Sequence, residues 1–200
     1  MSDEDFKRCI DFHGHACPGI AIGFRAAQVL MERLGVLRSP DEELVAVVET
    51  DACGSDAIQV MTGCTFGKGN FIFKNYGKHA FSLSDRKQER TVRVCLQPDA
   101  IKTAPDHLPL IEKVRNEKAT PEEMERFRQL QQERVRRIIE ADPSSLFKVE
   151  EVAPLIPPLA KIVKSETCDI CGESTKADLL RVVNGCKVCI PCWQQKRVIT

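Results

Sequence analysis

The sequence predicts an α+β fold, a core of helices packed on a mainly antiparallel sheet, followed by a small cysteine-rich appendage. Three observations carry this. Apolar residues at helical spacing come early, up to Leu34, and β-branched or alternating runs cluster afterwards, between Leu44 and Leu96, an order that suits segregated helices and strands. A proline-rich stretch, Val152-Ala153-Pro154-Leu155-Ile156-Pro157-Pro158, then interrupts the chain. Behind it lie five of the ten cysteines, within the last 33 residues.

Taken in order, the first element is a helix starting at or beside Cys17-Pro18. Ile20, Phe24, Ala27, Leu30, Met31 and Leu34 recur on one stripe, and Gly35 suits a C-cap. Leu44 to Val48 reads as a buried strand. Ser55 to Met61 reads as a short helix that Ser55 or Asp56 caps. Phe71-Ile72-Phe73, the turn-like Asn75-Tyr76-Gly77 and Ala80-Phe81-Ser82-Leu83 predict a hairpin, and Thr91 to Leu96 alternates as a further strand. Thr120-Pro121-Glu122-Glu123 is a capping box opening a long helix, with Met124, Phe127, Leu130, Val135, Ile138 and Ile139 at helical spacing until Asp142-Pro143. Its polar face carries five glutamates against five arginines, a solvated face of a core or dimer helix and not the one-signed stripe that nucleic acid demands. The expected division is a core domain over 1–152, a proline-rich linker over 153–165 and a finger over 166–200.

Composition bounds the function. The chain has 200 residues, 42% of them hydrophobic, and 29 Lys+Arg balance 29 Asp+Glu. That excludes a disulfide miniprotein and a disordered chain, and removes any whole-chain electrostatic case for nucleic acid or an anionic membrane. No apolar run approaches the ~18 residues of a membrane span. The start, Met1-Ser2-Asp3-Glu4-Asp5, is acidic where a secretory signal would be basic and then apolar, so a cytoplasmic location with reduced thiols is expected. Clustered thiols in such a compartment are metal ligands or reactive groups more often than disulfides.

Cys168-Asp169-Ile170-Cys171 and Cys189-Ile190-Pro191-Cys192 are two Cys-x2-Cys pairs with 17 residues between them, the spacing of a four-thiolate zinc site. Gly172 suits the first sharp turn, and Asn184-Gly185 signals a hairpin before the second. A helix over Trp193 to Arg197 would make the appendage a treble-clef-like zinc finger, its folding energy supplied by the metal. A closed site of this kind is structural and leaves no open coordination position. Cys186 is a fifth thiol and is assigned to the hairpin arm. Five cations against four anions from Glu166 onward favour protein contact over DNA.

The second constellation is His13-Gly14-His15-Ala16-Cys17-Pro18-Gly19, two imidazoles and a thiol at a predicted helix N-terminus. The macrodipole there favours negative charge, which suits a thiolate nucleophile or ligand, so Cys17 is the candidate catalytic residue. Cys53, at a strand-to-helix junction, and Cys64, in Thr62-Gly63-Cys64-Thr65-Phe66-Gly67-Lys68-Gly69-Asn70, would complete a His/Cys metal site if these loops converge. The last segment has the wrong glycine spacing for a phosphate loop, but Lys68 amid glycines is a candidate for holding an anion or cofactor. Cys9 and Cys95 read as packed thiols.

These three segments together, Phe12 to Gly19, Cys53-Gly54-Ser55-Asp56-Ala57-Ile58-Gln59 and Thr62 to Asn70, resemble the signature set of the FmdE family, named for a component of formylmethanofuran dehydrogenase. The finger is similar to the C-terminal zinc module of the family's longer members. The resemblance implies an α+β core, an intertwined homodimer, a core metal site at His15, Cys17 and Cys53 with Cys64 nearby, and a finger for protein contact, regulation, RNA binding or metal sensing. It leaves open whether His13 joins that site. It delivers no reaction, because the parent enzyme's chemistry resides on molybdenum or tungsten pterin and iron–sulfur components, for which this chain has no cluster spacing. An accessory or regulatory metalloprotein is the first expectation; a metal- or thiol-dependent enzyme at Cys17 and a transcriptional regulator or metal sensor are its rivals.

Overall fold

The computed structural model describes residues 3–195, which divide between Pro158 and Leu159 into two compact units. The division falls within the segment that the sequence assigns to a linker.

In the first unit, α1 (Asp3–His13) leads into α2 (Pro18–Leu34). Residues on several sides of α2 are buried, including Ile20, Ala21, Phe24, Ala26, Ala27, Leu30 and Leu34. A helix apolar nearly all round is a central helix, and α2 packs against α1, against α3 (Gly54–Thr62), against α5 (Pro121–Glu140) and against the sheet. Gly35 ends it in the left-handed conformation, φ 66°, as a C-cap needs. The long helix α5 opens on the complete capping box: the Glu123 N–H donates to Thr120 Oγ1 at 3.2 Å, and the Thr120 N–H donates to Glu123 Oε2 at 3.0 Å.

The sheet has five strands, β1 (Leu44–Val48), β2 (Phe71–Phe73), β3 (Ala80–Asp85), β4 (Arg90–Leu96) and β5 (Phe147–Val152), in the order β2-β1-β3-β4-β5. All pairings are antiparallel except β1 with β2. The expected hairpin of Phe71–Phe73 with the strand at Ala80 is therefore corrected. Strand β1 is buried at all five positions and takes a neighbour on each side, β3 from Leu44↔Asp85 to Val48↔Phe81 and β2 from Ala46↔Phe71 to Val48↔Phe73. The chain between β1 and β2, with α3 inside it, supplies the crossover that a parallel pair requires. The short helix differs too. It begins at Gly54, and neither proposed residue caps it: Ser55 Oγ donates to the Thr50 carbonyl at 2.8 Å, and the Asp56 carboxylate lies on His13.

Two further helices, α4 (His107–Arg115) and α6 (Pro143–Leu146), complete the unit. Across the sheet, Arg93 on β4 grips Glu49, just past β1, with two bonds: Nε to Oε1 at 2.7 Å and Nη2 to Oε2 at 3.0 Å. The Arg93 bonds hold the Glu49 carboxyl below its ordinary range. A carboxylate with a depressed folded pKa adds stability that is fully present above its unfolded pKa, about 4.3, and is lost as pH falls through the folded value. Glu49→Gln is expected to cost about 1–3 kcal/mol at pH 7, the range for a hydrogen-bonded charged pair. Urea denaturation should show the gap to wild type closing as pH falls through the depressed pKa; a gap that persists there would place the loss in packing.

The second unit holds two hairpins, β6 (Ser165–Thr167) with β7 (Ser174–Lys176) and β8 (Arg181–Val183) with β9 (Cys186–Val188), and then a short helix, α7 (Ile190–Gln194). Asn184 and Gly185 turn the second hairpin with φ 50° and 82°, the two positive values that a type I′ turn demands. The predicted helical tail includes Lys196 and Arg197, which lie outside the described residues. Among the described residues, no helix is long and apolar enough to cross a membrane.

Candidate metal centres

The two hairpins of the second unit bring Cys168, Cys171, Cys189 and Cys192 together, with all four sulfurs within 4.8 Å of one another. Cys168 and Cys171 flank a tight turn in which the Gly172 N–H donates to the Cys168 carbonyl at 2.9 Å, with Gly172 at φ 75°. Cys189 and Cys192 bracket the start of α7, where Pro191 stands in the first turn. Asp169 joins the two knuckles: its N–H donates to the Lys187 carbonyl at 2.9 Å and its carboxylate accepts from the Lys187 N–H at 2.6 Å.

The donor set fits a tetrahedral ion. Four sulfurs at about 2.3 Å from a central zinc stand about 3.8 Å apart, and Cys171 Sγ lies 3.8 Å from Cys189 Sγ. Backbone N–H groups of Cys171 and Cys189 push the Cys168 thiol down to about 6, which makes it a thiolate at neutral pH. Burial and the neighbouring sulfurs push the Cys192 thiol up to about 12. Four sulfurs this close, one of them readily ionised, suit a bound cation. Cys186 lies half-buried on β9, outside this group.

The second group forms in the first unit where α1 ends and α2 begins. His13 is the last residue of α1, Gly14 turns the chain at φ 92°, and Cys17 caps α2, its sulfur accepting from the Ile20 N–H at 3.4 Å. The ligand atoms of His13, His15 and Cys17 fall within 4.8 Å of one another. His13 Nε2 is 3.8 Å from Cys17 Sγ, while its Nδ1 is 2.7 Å from Asp56 Oδ2. An ionised carboxylate only accepts, so Nδ1 carries a ring proton, and Nε2 is the ring nitrogen that faces the thiol. A carboxylate behind a histidine is the arrangement that fixes a metal-ligating imidazole. His15 is exposed, and its ring centroid is 4.6 Å from that of His13.

The structure thus gathers His15 and Cys17 and adds His13. Cys53 stands beside the group: a Cβ built on Gly19 would lie 2.9 Å from Cys53 Cβ and 3.7 Å from Cys17 Sγ, so both thiols crowd the same glycine. Burial, and then the neighbouring Cys17 sulfur, push the Cys53 thiol up. Cys64 is fully buried among core residues, and burial raises it as well. Lys68 donates to the Pro40 and Asp41 carbonyls at 3.3 and 3.1 Å. In the same loop, Asn70 is fully buried and donates to the Asp41 and Leu44 carbonyls, so it anchors the chain before β2. Asp56 is the residue that sequence reasoning missed at this site. It stands 43 positions from His13, and only the docking of α3 on α1 pairs them.

Comparison with known proteins agrees with the fold. A protein from Archaeoglobus fulgidus described as a probable S-adenosyl-L-methionine-binding protein is 35% identical over 195 residues, covering 92% of this chain and 51% of its own length. The chain thus spans about half the length of that curated relative. The crystal structure of a tungsten formylmethanofuran dehydrogenase FmdE-like protein from Syntrophus aciditrophicus superposes with a TM-score of 0.63 at 25% identity, over 98% of this chain and 94% of that one. The profile described as FmdE, molybdenum formylmethanofuran dehydrogenase operon, matches residues 12–148. That span starts one residue before His13 and takes in Cys17, Cys53 and Asp56 with the helices that hold them, and on this match the chain belongs to the FmdE family.

Proposed function

We propose that this chain is an accessory or regulatory metalloprotein with two metal centres of different kinds. Zinc held by Cys168, Cys171, Cys189 and Cys192 is structural, because four thiolates close its coordination sphere. The second centre, at His13, His15 and Cys17 with Cys53 beside it, offers three protein donors, the number that leaves a position free for an exogenous ligand. That contrast between a closed and an open donor set is the observation that carries the reading. The protein works in the reducing cytoplasm, where its ten free cysteines persist as thiols. It acts as a homodimer whose finger contacts other proteins in preference to RNA or DNA.

Metal content per chain tests this. Wild type is expected to hold two ions, Cys17→Ala to lose only the core ion and Cys192→Ala only the finger zinc. An unchanged stoichiometry in Cys17→Ala would overturn the core centre. The second reading, an enzyme acting on a small molecule at Cys17, is favoured by the exposure of His15 in the core group, which leaves that group accessible from solvent. The Archaeoglobus relative's description makes S-adenosylmethionine the first probe, and saturable binding lost in Cys17→Ala would favour the enzyme.

A further inference from the structure

We propose that the cleft between the segment at Lys102 and helix α5 is a binding site for a small oxyanion, a phosphate or carboxylate group held by Lys102, His107, Arg134 and Arg137. None of these residues belongs to either cysteine centre, and nothing in the preceding reading requires the cleft.

His107, the first residue of α4, is 1% exposed and stacks on Phe127 of α5, with ring centroids 5.9 Å apart at 18°. Its Nδ1 is 3.3 Å from Arg134 Nη1. A guanidinium only donates, so Nδ1 accepts and the ring proton sits on Nε2. That Nε2–H is buried without an acceptor, and so is the Nε–H of Arg134. Buried donors are almost always satisfied, and two orphans on adjoining side chains call for an acceptor from outside the protein.

Both residues line a cavity of about 170 Å³, with Lys102, Thr103, Glu133 and Arg137. This is well above the ~10–15 Å³ that a single water needs. Lys102, Thr103 and Arg137 are exposed and His107 is buried, so the cleft runs from a cationic mouth to the buried His107 ring. Its one carboxylate, Glu133, is taken by Arg137, and the neighbouring Asp106 is held by Arg126 at 2.9 Å. Among the described residues, neither Lys102 nor Arg134 has a carboxylate partner. Burial and the Arg134 charge keep His107 below its ordinary range, so its ring is neutral and donates from Nε2. Donors in excess and net positive charge are the chemistry of an oxyanion site.

The test titrates inorganic phosphate and, separately, acetate into the full zinc-loaded chain by calorimetry at constant ionic strength, while following the His107 ring nitrogens by NMR. Saturable binding is expected together with a shift of the Nε2 resonance. Lys102→Ala should weaken it about three- to fivefold, as for an exposed charge. Arg134→Lys, which keeps the charge and loses the planar fork, should weaken it about tenfold or more. Tighter phosphate would identify a phosphate-bearing ligand and tighter acetate a carboxylate. Absence of saturable binding with either anion, or affinity unchanged in the exposed Lys102→Ala variant, would overturn the proposal whether or not Arg134→Lys folds.

Discussion

Stripping the metal from the four-cysteine cluster should unfold the C-terminal unit and leave the first unit folded. Among the described residues, those fully buried in that unit are Cys168, Val188, Cys189 and Cys192, with Ile170, Leu180, Val183 and Cys186 packed half-buried against them, so three of the four fully buried residues are the ligands themselves. Its four strands have three residues each, and its helix has five. Elements of that size do not repay the ~1–2 kcal/mol per residue lost in ordering the backbone. Structural zinc in comparable modules supplies an apparent ~10–16 kcal/mol at neutral pH, enough to reverse the balance. The measurement is an amide NMR spectrum of the full chain before and after chelation, and of Cys168→Ser. Resonances from Ser165 to Gln194 should collapse to random-coil positions while those of α2 and the five-stranded sheet stay dispersed. Persistent protection of β6 to β9 without metal would show that the unit folds on contacts other than its thiolate cluster.

The elements legible in the sequence are those whose signal is local. Gly35 at a left-handed C-cap, Thr120 with Glu123 and Asn184-Gly185 each need only a few neighbouring residues, and each does in the structure what its spacing predicts. What escaped depends on distant partners or on a masked pattern. Strand β5 reads Phe-Lys-Val-Glu-Glu-Val, and its charges hide the alternation because an edge strand exposes more of itself to water. Helix α1 has few apolar residues among its acids and bases, so its amphipathic face around Phe6 and Cys9 is short. Helix α4 lies beside and across prolines that suggest an irregular segment, yet Pro109 falls in its first turn, where no N–H is missed. The metal candidates divide in the same way. The finger's ligands come in pairs three residues apart and are fully legible. The core group is legible in His15 and Cys17, but the role of Asp56 follows from the docking of α3 on α1, and the placing of Cys53 beside Cys17 from the crossing of α2 and α3.

That crossing sets the sign of the second large prediction. On helix propensity alone, Gly23→Ala in the interior of α2 should stabilise by about 0.8–1.0 kcal/mol. A Cβ at Gly23, however, would stand 2.1 Å from the Gly54 carbonyl oxygen and 2.5 Å from its Cα, and these are backbone atoms of α3 that no rotamer change can clear. The helices would have to part, and overpacking of that kind costs about 1–3 kcal/mol, more where backbone must move. The clash wins, and a net loss of about 1–2 kcal/mol should lower the melting temperature by about 2–8 °C in a unit of this size. Gly67→Ala is the control, since a Cβ there has nothing within 4 Å. Because Gly19 and Gly54 lie on the same contact, parting the helices also shifts α3, which carries the Asp56 that orients His13, away from the core group. Thermal melts and metal content measured on the same Gly23→Ala sample should therefore show a lower melting point together with a loosened core ion, while the finger zinc is retained. A variant that melts at or above wild type would mean that α2 and α3 do not approach this closely.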